Sequence, residues 1–398
     1  MSNLKTINDI QNITGKKVVV RADLNVPTEG STITDNSRIE RFAPTAKLLS
    51  DKGAKVIIIT HFGRPKGQRL PEFSTEILVK NLSNAIGKPV EFVDDTIGSK
   101  VEEKISQMKN GDIILLENVR FYKEEEANDA EFSKKLSNLG EIYVNDAFST
   151  SHRAHASTEG ITKYLPSYAG LLMEEEVDAL TKALENPAHP AIAIVGGSKV
   201  STKLAVLENI TKKVDAIVIG GAMANTFLLA QGYNIGASMA EEDMKDTALR
   251  IIEEAKKNGC EIVLPIDVCV AKEFKANAEN KFVGIDDVDG DWKIFDVGPE
   301  TSKMLDAKFE NAKTVLWNGP LGVFELIPFD RGTNELAKTV AKLTREGKLT
   351  SVAGGGDTVS ALNNAGVAND FSYISTAGGA FLEWLEGKTL PAIPPLMK

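Results

Sequence analysis

Two glycine-rich segments carry the residues best suited to hold a phosphate. The first, Val195–Lys203, reads Val-Gly-Gly-Ser-Lys-Val-Ser-Thr-Lys, and the second, Val352–Thr358, reads Val-Ala-Gly-Gly-Gly-Asp-Thr. Each follows an apolar run and opens onto a helical pattern, so backbone N–H groups and the positive end of a helix dipole would face an anion. Lys199 and Lys203 add positive charge, and Asp357 adds a hard oxygen ligand of the kind that Mg²⁺ takes beside phosphates. The second half of the chain therefore looks like a nucleotide phosphate site.

The first part of the chain carries a separate set of cations. Seven of the ten arginines fall within the first 153 residues. Arginine is favoured over lysine where a planar fork must grip a phosphate or a carboxylate. The seven are Arg21, Arg38, Arg41, Arg64, Arg69, Arg120 and Arg153. Together they indicate a second anion site, although surface solubility explains any single one of them equally well.

Composition limits the classes of protein that fit. A chain of 398 residues exceeds one ordinary core and favours two domains. The net charge of −10 argues against nucleic acid or an anionic membrane as a partner. Cys260 and Cys269 form no metal or disulfide pattern, and the polar start of the chain is unlike a signal peptide. No apolar run approaches the length of a membrane span, so we expect a cytoplasmic protein.

The elements that must position these residues are short apolar strands alternating with helices, which predicts parallel sheets covered on both faces. The predicted strands are Lys17–Arg21, Lys55–Thr60, Val90–Val93, Ile113–Leu116, Ile142–Asn145, Ala191–Val195, Ala216–Gly220, Glu261–Leu264, Thr314–Trp317 and Ser351–Ala353. Met173–Asn186 is typical of a charged amphipathic helix that ends before Pro187 and joins two domains. The polar stretch Asn277–Trp292 is interpreted as a small excursion from the second sheet.

Polar and cationic residues follow the first-half strands at their carboxyl ends, where open α/β sheets bind ligands. They occur in Arg21–Asn25, His61–Pro65, Glu117–Phe121 and Asp146–Arg153. Turn chemistry would explain Gly63 and Pro65 alone, but several arginine-bearing loops at one edge favour an anion site. His61, His152 and His155 lie in the same loops. A proton shuttle is one possible role for them, and a structural or substrate-orienting role is favoured.

Common nucleotide motifs are missing from the sequence. It has no GxxxxGK[ST], and Gly387-Lys388-Thr389 lacks both the first glycine and a preceding strand. A GxGxxG in strand context is also missing, which argues against a dinucleotide enzyme. Gly220-Gly221 would serve equally well as a tight turn. In Trp317–Glu325, Gly319 and Gly322 permit close approach of a flat ligand, and Glu325 could accept hydrogen bonds from ribose hydroxyls.

Taken together, these segments resemble the signature segments of phosphoglycerate kinases. The matching segments, in family order over essentially the whole chain, are Arg21–Pro27, His61–Pro65, Glu117–Phe121, His152–Ser157, Gly196–Lys203, Trp317–Glu325 and Gly354–Thr358. The resemblance implies two Rossmann-like domains with mainly parallel sheets, joined by a helix, with a cleft between them. It places an N-terminal domain at 1–172 with 390–398 returning to it, a linking helix at 173–187, and a C-terminal domain at 188–389.

The resemblance also implies a site for each substrate. The N-terminal domain would bind 3-phosphoglycerate or 1,3-bisphosphoglycerate, and the C-terminal domain would bind ADP or ATP with Mg²⁺. The implied triose-site residues are Asp23, Asn25, Arg38, His61, Phe62, Gly63, Arg64, Arg120 and Arg153. The implied nucleotide-site residues are Gly197, Lys199, Lys203, Gly221, Asn318, Glu325, Gly354, Gly355, Gly356, Asp357 and Thr358, with Asp357 near the metal. The chain is expected to act as a monomer.

The implied reaction is the reversible transfer of a phosphoryl group between ATP and the carboxylate of 3-phosphoglycerate. That acceptor is already ionised near neutral pH, so the reaction needs no general base, and positioning and charge neutralisation remain. Arg38 and Lys203 are expected to hold the transferring group. Hinge closure would bring the substrates together and exclude water, with Met173–Asn186 and Ser375–Ala380 as hinge elements.

Two other kinds of protein stay open on the residues alone. A different two-domain small-molecule kinase would use the arginines for another acid. A non-catalytic two-domain binding protein is disfavoured by Lys199, Lys203 and Asp357.

Several positions also depart from the commoner family pattern. These are Ala222 and Ala377, where glycine is usual, and Ser149 and Ser151, where glycine and alanine are commoner. Because a Cβ limits positive φ and close approach, the sequence leaves open the detail of the phosphate contact near Ala377.

Overall fold

The computed structural model describes residues 3–398, which divide into two compact units. The N-terminal unit runs through Asp178 and also contains Thr389–Lys398, and the C-terminal unit is Ala179–Lys388. Each unit is built around its own six-stranded sheet of parallel strands. The chain is therefore an α/β protein with two Rossmann-like units.

The N-terminal unit has its sheet strands in the order β5-β6-β4-β1-β7-β8, and β2 and β3 form a separate hairpin. The strands are β1 (Lys17–Ala22), β2 (Thr28–Glu29), β3 (Thr32–Ile33), β4 (Lys55–Thr60), β5 (Val90–Val93), β6 (Ile113–Leu116), β7 (Ile142–Asp146) and β8 (Ser167–Ala169). The helices are α1 (Ser37–Asp51), α2 (Val79–Ile86), α3 (Ser99–Gln107), α4 (Lys123–Glu126), α5 (Ala130–Ser137) and α6 (Leu171–Leu180), the last of which ends in the C-terminal unit.

Both faces of this sheet are buried, which explains why its strands are apolar without alternation. Along β1, Val18 and Val20 join one core cluster and Val19 joins another on the opposite face. The chain leaves β1 toward β4 on one side and later enters β7 on the other side. The crevice beyond the carboxyl ends of β1 and β7 is thus the topological switch point, where such sheets bind ligands.

The C-terminal unit has the strand order β11-β10-β9-β15-β16-β17 in its large sheet. Its strands are β9 (Ala191–Gly196), β10 (Ala216–Gly220), β11 (Glu261–Val263), β12 (Asp267–Ala271), β13 (Asn280–Gly284), β14 (Lys293–Val297), β15 (Thr314–Asn318), β16 (Thr350–Gly354) and β17 (Tyr373–Ser375). Its helices are α7 (Leu204–Ile210), α8 (Ala222–Ala230), α9 (Lys245–Lys257), α10 (Pro299–Phe309), α11 (Arg331–Arg345), α12 (Gly356–Asn364) and α13 (Gly378–Leu385). The six parallel strands follow the 3-2-1-4-5-6 order of dinucleotide-binding folds, so the switch point lies between β9 and β15.

The predicted strands agree with the structure to within one residue at each end, but several short strands escaped prediction. The region interpreted as a polar excursion contains β13, which pairs antiparallel with β12 in a three-stranded sheet. β13 is largely exposed, so its sequence lacks the apolar signal that marks a buried strand. β8 and β17 have only three residues each, too few to show a period.

The segment predicted as one helix over 173–187 has two parts. α6 ends at Leu180, and Thr181–Glu185 continues as a π-helix. The predicted N-terminal range ended at 172, whereas residues through Asp178 group with the N-terminal unit. At the start of α6, the Met173 N–H donates to the buried Asp146 carboxylate at 3.0 Å. The hydrogen bond fixes this end of the helix to β7.

The last residues of the chain pack on the N-terminal unit. The Lys5 N–H donates to the Leu396 carbonyl at 2.7 Å, and the Ala392 N–H donates to the Ser151 carbonyl at 3.2 Å. Thr389, which the predicted ranges put in the C-terminal domain, groups with this segment. Over residues 3–398, a helix with the length and apolar character needed to cross a membrane does not occur.

Candidate active site

Asp23 is the centre of the polar cluster at the β1–β7 crevice. One carboxylate oxygen, Oδ2, accepts hydrogen bonds from Arg38 Nη1 and Ser149 Oγ. The other, Oδ1, accepts the Asn25 N–H at 3.2 Å. Burial alone would raise the pKa of Asp23, but the nearby positive charge and these donors outweigh it and hold the pKa below its ordinary value. Asp23 is therefore a carboxylate that fixes Arg38 at the switch point.

Asn118 joins its own loop after β6 to the segment that connects β4 to α2. Its Nδ2 donates to the carbonyls of Phe62 and Phe73 at 2.7 and 2.9 Å, and its Oδ1 accepts the N–H groups of Phe62 and Arg120 at 3.2 and 3.0 Å. All four hydrogen-bonding positions of the amide are thus filled. The Phe62 side chain lies in the core, so this residue holds the loop rather than presenting a polar group.

The predicted arginines are positioned differently from one another. Arg120 is buried, and its Nη1 donates to the Gly63 carbonyl at 2.9 Å. Arg153 is partly buried, and its Nε donates to His152 Nε2 at 3.1 Å. Arg64 is exposed and makes no ion pair with any of residues 3–398. Arg64 is therefore the guanidinium of this set with the greatest freedom to meet a ligand.

Arg21 is fully buried beneath the loops and does not act as a surface cation. Its Nε donates to Ser157 Oγ at 2.8 Å, and Ser157 Oγ in turn donates to the Glu125 carboxylate at 2.6 Å. Arg21 Nη2 lies 3.1 Å from His61 Nδ1. Because a guanidinium only donates, His61 Nδ1 is the acceptor and its proton lies on Nε2.

Two histidines of these loops, His61 and His155, are held in the neutral form. Burial lowers the pKa of His61 well below its ordinary value; the charge of Asp23 opposes this shift, and the charges of Arg21 and Arg120 add to it. Burial, followed by the same two arginines, lowers the pKa of His155 to about 4. His61 thus offers a neutral N–H donor, which fits orientation of a substrate better than proton transfer at neutral pH.

Two backbone loops of the C-terminal unit meet at the β9–β15 switch point. Gly319 has φ = 111°, and a Cβ added there would lie 2.2 Å from the carbonyl oxygen of Gly196. Only glycine combines this conformation with such close approach. The Gly319 N–H donates to Thr358 Oγ1 at 2.7 Å, so Thr358 also ties the loop after β15 to the start of α12.

Asn318 connects the predicted lysine to the second glycine-rich segment. Its Oδ1 accepts a hydrogen bond from Lys203 Nζ, and its Nδ2 donates to the Gly354 carbonyl at 2.8 Å. Burial lowers the pKa of Lys203, while the charges of Asp357 and Glu386 oppose the shift. Lys199 is exposed, as are Gly356 and Asp357 at the start of α12. The lysines and the helix N-terminus together suit an anion.

A cavity of about 320 Å³ opens beside these loops within the C-terminal unit. Four residues predicted for the nucleotide site line it: Gly197, Gly221, Glu325 and Asp357. Its wall is otherwise largely apolar, including Leu321 and Phe324. An apolar cleft with few polar groups at its rim suits a flat, partly polar ligand such as a nucleobase with its ribose.

The residues present fit a Mg²⁺ ion that arrives with a nucleotide. Within residues 3–398, His, Cys, Asp and Glu side chains form no group of three or more that could hold a metal ion. Asp357 supplies one exposed carboxylate beside the amide groups of Gly355 and Gly356. Mg²⁺ commonly binds through one or two carboxylates together with substrate phosphates, and this single carboxylate matches that pattern.

Several residues of these two sites were missed at the sequence level. Asn118 and Ser149 act through hydrogen bonds between loops that are distant in sequence. Phe274 and Asp296 line the cavity but belong to the region of the small antiparallel sheet, which was not predicted. The only available signal was that Asn118 and Ser149 stand inside segments already singled out.

The two alanines that replace expected glycines cause no backbone conflict. Ala377 has φ = −89°, and the positive φ falls on the next residue, Gly378, at 39°. Ala222 is the first residue of α8, and the positive φ falls on the preceding Gly221, at 67°. At both positions a neighbouring glycine, and not the alanine, takes the conformation that disfavours a Cβ.

The fold and the two polar clusters define a nucleotide-dependent phosphotransferase. One unit holds arginines at its switch point, and the other offers lysines, glycine loops and a cavity suited to a nucleotide.

Comparisons with known proteins agree with this class. The family model for phosphoglycerate kinase matches residues 7–388. The phosphoglycerate kinase of Methylorubrum extorquens (strain PA1) is 54% identical over 396 residues, covering 100% of this chain and 99% of that protein. The enzyme of Mesorhizobium japonicum is 54% identical over 398 residues, covering 100% of both chains. The solved structure of phosphoglycerate kinase from Coxiella burnetii has a TM-score of 0.92 and 44% identity, covering 99% of this chain and 98% of its own.

The chain belongs to the phosphoglycerate kinase family. It catalyses the reversible transfer of a phosphoryl group between 1,3-bisphosphoglycerate and ADP, which gives 3-phosphoglycerate and ATP in glycolysis.

Proposed function

We propose that the N-terminal unit binds the phosphoglycerate and that the C-terminal unit binds the nucleotide with Mg²⁺. The observation that carries this division is the difference in chemistry between the two switch points. Arg38, Arg120 and Arg153 gather beyond β1 and β7, with Arg64 exposed nearby, and these side chains suit a small ligand with phosphate and carboxylate groups. The cavity beside β9 and β15 suits a nucleotide.

The proposed triose site uses side chains with distinct tasks. The guanidiniums of Arg64, Arg120 and Arg153 hold the anionic groups of phosphoglycerate. Asp23 and His61 orient its neutral part, since a carboxylate accepts from the hydroxyl and a neutral His61 donates through Nε2–H. Asn25, Phe62 and Gly63 hold the loops together. For example, the Gly63 N–H donates to Asn25 Oδ1 at 2.8 Å.

The proposed nucleotide site uses backbone groups for the phosphates and side chains at its rim. Gly197 and Gly221 line the cavity, and Gly354, Gly355, Gly356 and Thr358 present or support the N-terminus of α12. Glu325 accepts from ribose hydroxyls, and Lys199 pairs with phosphate. Asp357 is the carboxylate that would hold Mg²⁺, which supplies charge neutralisation on the phosphates when bound.

The transfer itself needs placement and charge rather than proton transfer. In the direction of ATP consumption, a carboxylate oxygen of 3-phosphoglycerate forms a bond to the terminal phosphorus. The bond between that phosphorus and the bridging oxygen of ADP breaks, and its electron pair stays on ADP. Arg38 and Lys203 hold the equatorial oxygens of the moving group. Asn318 keeps the Lys203 ammonium in place before the nucleotide arrives.

The division into two binding units can be tested by calorimetry. Arg64→Ala should weaken 3-phosphoglycerate binding and leave MgADP binding unchanged, whereas Lys199→Ala should do the reverse. Arg69→Ala serves as a matched control, because Arg69 already pairs with Asp94. Loss of MgADP affinity in Arg64→Ala with intact phosphoglycerate affinity would contradict the assignment. A coupled assay with 3-phosphoglycerate and a panel of other carboxylic acids, run in both directions, tests the substrate.

We further propose that the protein acts as a cytoplasmic monomer, without a nucleic-acid or membrane partner, and that hinge bending accompanies catalysis. Ligands drive closure only through contacts that favour the closed form, so both substrates together should close the molecule most. Small-angle scattering should show a greater compaction with both ligands than with either alone. Superimposable free and ternary profiles would contradict hinge bending, and a doubled mass would contradict the monomer.

A further inference from the structure

We propose that Ser149 is a positioning residue for the phosphoryl transfer: its hydroxyl holds the Asp23 carboxylate in place when Arg38 turns to the transferring group. The inference rests on the role proposed above for Arg38. It concerns a residue that stands where a side chain without a hydroxyl was expected, and it deepens the account of the same site.

Sheet register brings Ser149 to Asp23. β1 and β7 are parallel neighbours with Ala22 opposite Asp146, so the segments that follow them start at the same edge. The chain after β7 enters a short 3₁₀ turn, Phe148–Thr150, and Ser149 is its middle residue. Its hydroxyl donates to Asp23 Oδ2 across the switch point. Ser149 is half-buried, so the bond lies at the mouth of the site rather than in the core.

Asp23 Oδ2 is the oxygen that Arg38 also uses. Within residues 3–398, the other carboxylate oxygen, Oδ1, accepts only the backbone N–H of Asn25. If Arg38 were the sole protein donor to Oδ2, turning away would leave a buried, ionised oxygen without a hydrogen bond from the protein. Such an unsatisfied charged group is unfavourable, so the carboxylate would retain Arg38. The Ser149 hydroxyl supplies a donor that stays, which makes the release of Arg38 easier.

The exposure of the pair shows which partner is able to move. The Arg38 side chain is 35% exposed, and the Asp23 side chain is 9% exposed. Arg38 is on the first turn of α1, where its long side chain has room to reorient, while Asp23 is held from three directions. The geometry thus separates a fixed anchor, made of Asp23 and Ser149, from a mobile cation.

Ser151 provides a matched comparison within two residues of Ser149. It is fully buried, and its Oγ has no hydrogen-bond partner among residues 3–398. Removing this hydroxyl should leave the site unchanged. If replacing a serine in this segment disturbs the backbone, Ser149→Ala and Ser151→Ala should both lower the rate. If the effect acts through Asp23, only Ser149→Ala should lower it.

The experiment measures kcat and KM for Ser149→Ala, Ser149→Thr and Ser151→Ala with 3-phosphoglycerate and MgATP. Loss of one hydrogen bond that favours the catalytic arrangement predicts a fall in kcat of about three- to tenfold for Ser149→Ala. KM for ATP should stay unchanged, because the nucleotide binds elsewhere. Ser149→Thr, which keeps the hydroxyl, and Ser151→Ala should retain the wild-type kcat.

A double-variant comparison tests whether Ser149 acts through Asp23. In Asp23→Ala the anchor is gone, so adding Ser149→Ala should cause no further fall in kcat. A wild-type kcat for Ser149→Ala, or a full additional loss in the double variant, would overturn the inference. Arg38→Ala is measured in parallel. If Arg38→Ala keeps the wild-type kcat, the proposed role of Arg38 itself is wrong. If Arg38→Ala loses kcat but Ser149→Ala keeps the wild-type kcat, the role of Arg38 stands and the positioning role of Ser149 is wrong.

Discussion

The switch points of the two units, which we propose as two anion sites, are built in different ways. The N-terminal unit uses charged side chains that are held by other side chains: Asp23 anchors Arg38, and Asn118 orders the loop of Arg120. The C-terminal unit uses backbone, with Gly319 pressed against Gly196 so that two loops approach closely. The contrast teaches that similar sheets can serve one ligand through cations and another through exposed amides.

The same contrast appears in their buried carboxyl groups. Asp23 stays ionised because Arg38, the Ser149 hydroxyl and the Asn25 N–H outweigh the effect of its burial. Asp296, beside the cavity of the C-terminal unit, is buried, accepts the Gly332 N–H at 2.7 Å, and has Asp330 and Glu335 nearby. Burial, reinforced by those acidic neighbours, raises the pKa of Asp296 to about 8. The N-terminal unit thus stabilises the ionised form of Asp23, and the C-terminal unit stabilises the protonated form of Asp296.

The largest expected effect separates catalysis from nucleotide binding. Arg38→Ala should lower kcat by roughly a hundred- to a thousandfold, because it removes a cation that stabilises the transferring group. MgADP affinity, measured by calorimetry, should stay at the wild-type value, since the proposed nucleotide site is in the other unit. Arg69→Ala, which removes an exposed arginine paired with Asp94, should keep the wild-type rate. A kcat above half of the wild-type value in Arg38→Ala would contradict the proposed role of Arg38 in stabilising the transferring group.

The next effect probes close approach of backbone in the C-terminal unit. Gly319→Ala forces a Cβ against the Gly196 carbonyl and adds strain of about 1–3 kcal/mol from its positive φ alone. We expect MgADP affinity to fall by more than about tenfold through displacement of the loop, with 3-phosphoglycerate affinity unchanged.

Gly232→Ala is the control for this substitution. Gly232 also has a positive φ, 92°, but a Cβ there would have no atom within 4 Å. It therefore reproduces the φ strain without the contact. If both variants lose the same MgADP affinity, close approach at Gly319 is not what shapes the site.

A third test uses pH to distinguish the two buried carboxyl groups. Between the ordinary carboxyl pKa and about 8, the folded unit keeps the proton of Asp296 while the unfolded chain loses it. The contribution of Asp296 to the free energy of unfolding is therefore present at low pH and lost as pH rises through this window, by about 1 kcal/mol per pH unit. Asp296→Asn should remove that loss. The free energy of unfolding of the variant should therefore increase relative to that of the wild type as pH rises from 6 to 8.

Tryptophan fluorescence during urea unfolding makes this measurement specific. Trp292, Trp317 and Trp384 all lie in the C-terminal unit. Asp286→Asn, at an exposed carboxylate of the same unit, should follow the wild type across the pH range. A constant difference between wild type and Asp296→Asn at every pH would mean that Asp296 is ionised.

The smallest expected effect concerns the metal. Asp357→Asn replaces a carboxylate with a neutral amide, a weaker ligand for Mg²⁺, and should weaken MgADP binding by about tenfold. Affinity for ADP measured with a chelator present is the internal control and should change little, as should 3-phosphoglycerate affinity. Equal loss with and without Mg²⁺ would show that the carboxylate serves the loop instead.

The sequence by itself determined ten of the twelve strands in the two large sheets, the glycine loops and the family. A run such as Ala191–Val195 was readable because its continuous apolar character belongs to the residues themselves and favours a strand buried on both faces. The chemistry of the proposed anion sites was also readable, since Arg38, Lys203 and Asp357 belong to residue types that bind phosphate or Mg²⁺. Short or exposed strands such as β13 were not readable, because their pairing is decided by partners distant in the chain.

Only the tertiary structure decided which of these groups meet. That Ser149 donates to Asp23, that Asn318 holds Lys203 and that Arg21 lies buried behind His61 all follow from strand order and register. The protonation of Asp296 likewise depends on burial by several segments at once. Residue types are written in the sequence, but distances and the local dielectric environment arise from contacts between remote parts of the chain, and these set the hydrogen bonds and pKa values of a site.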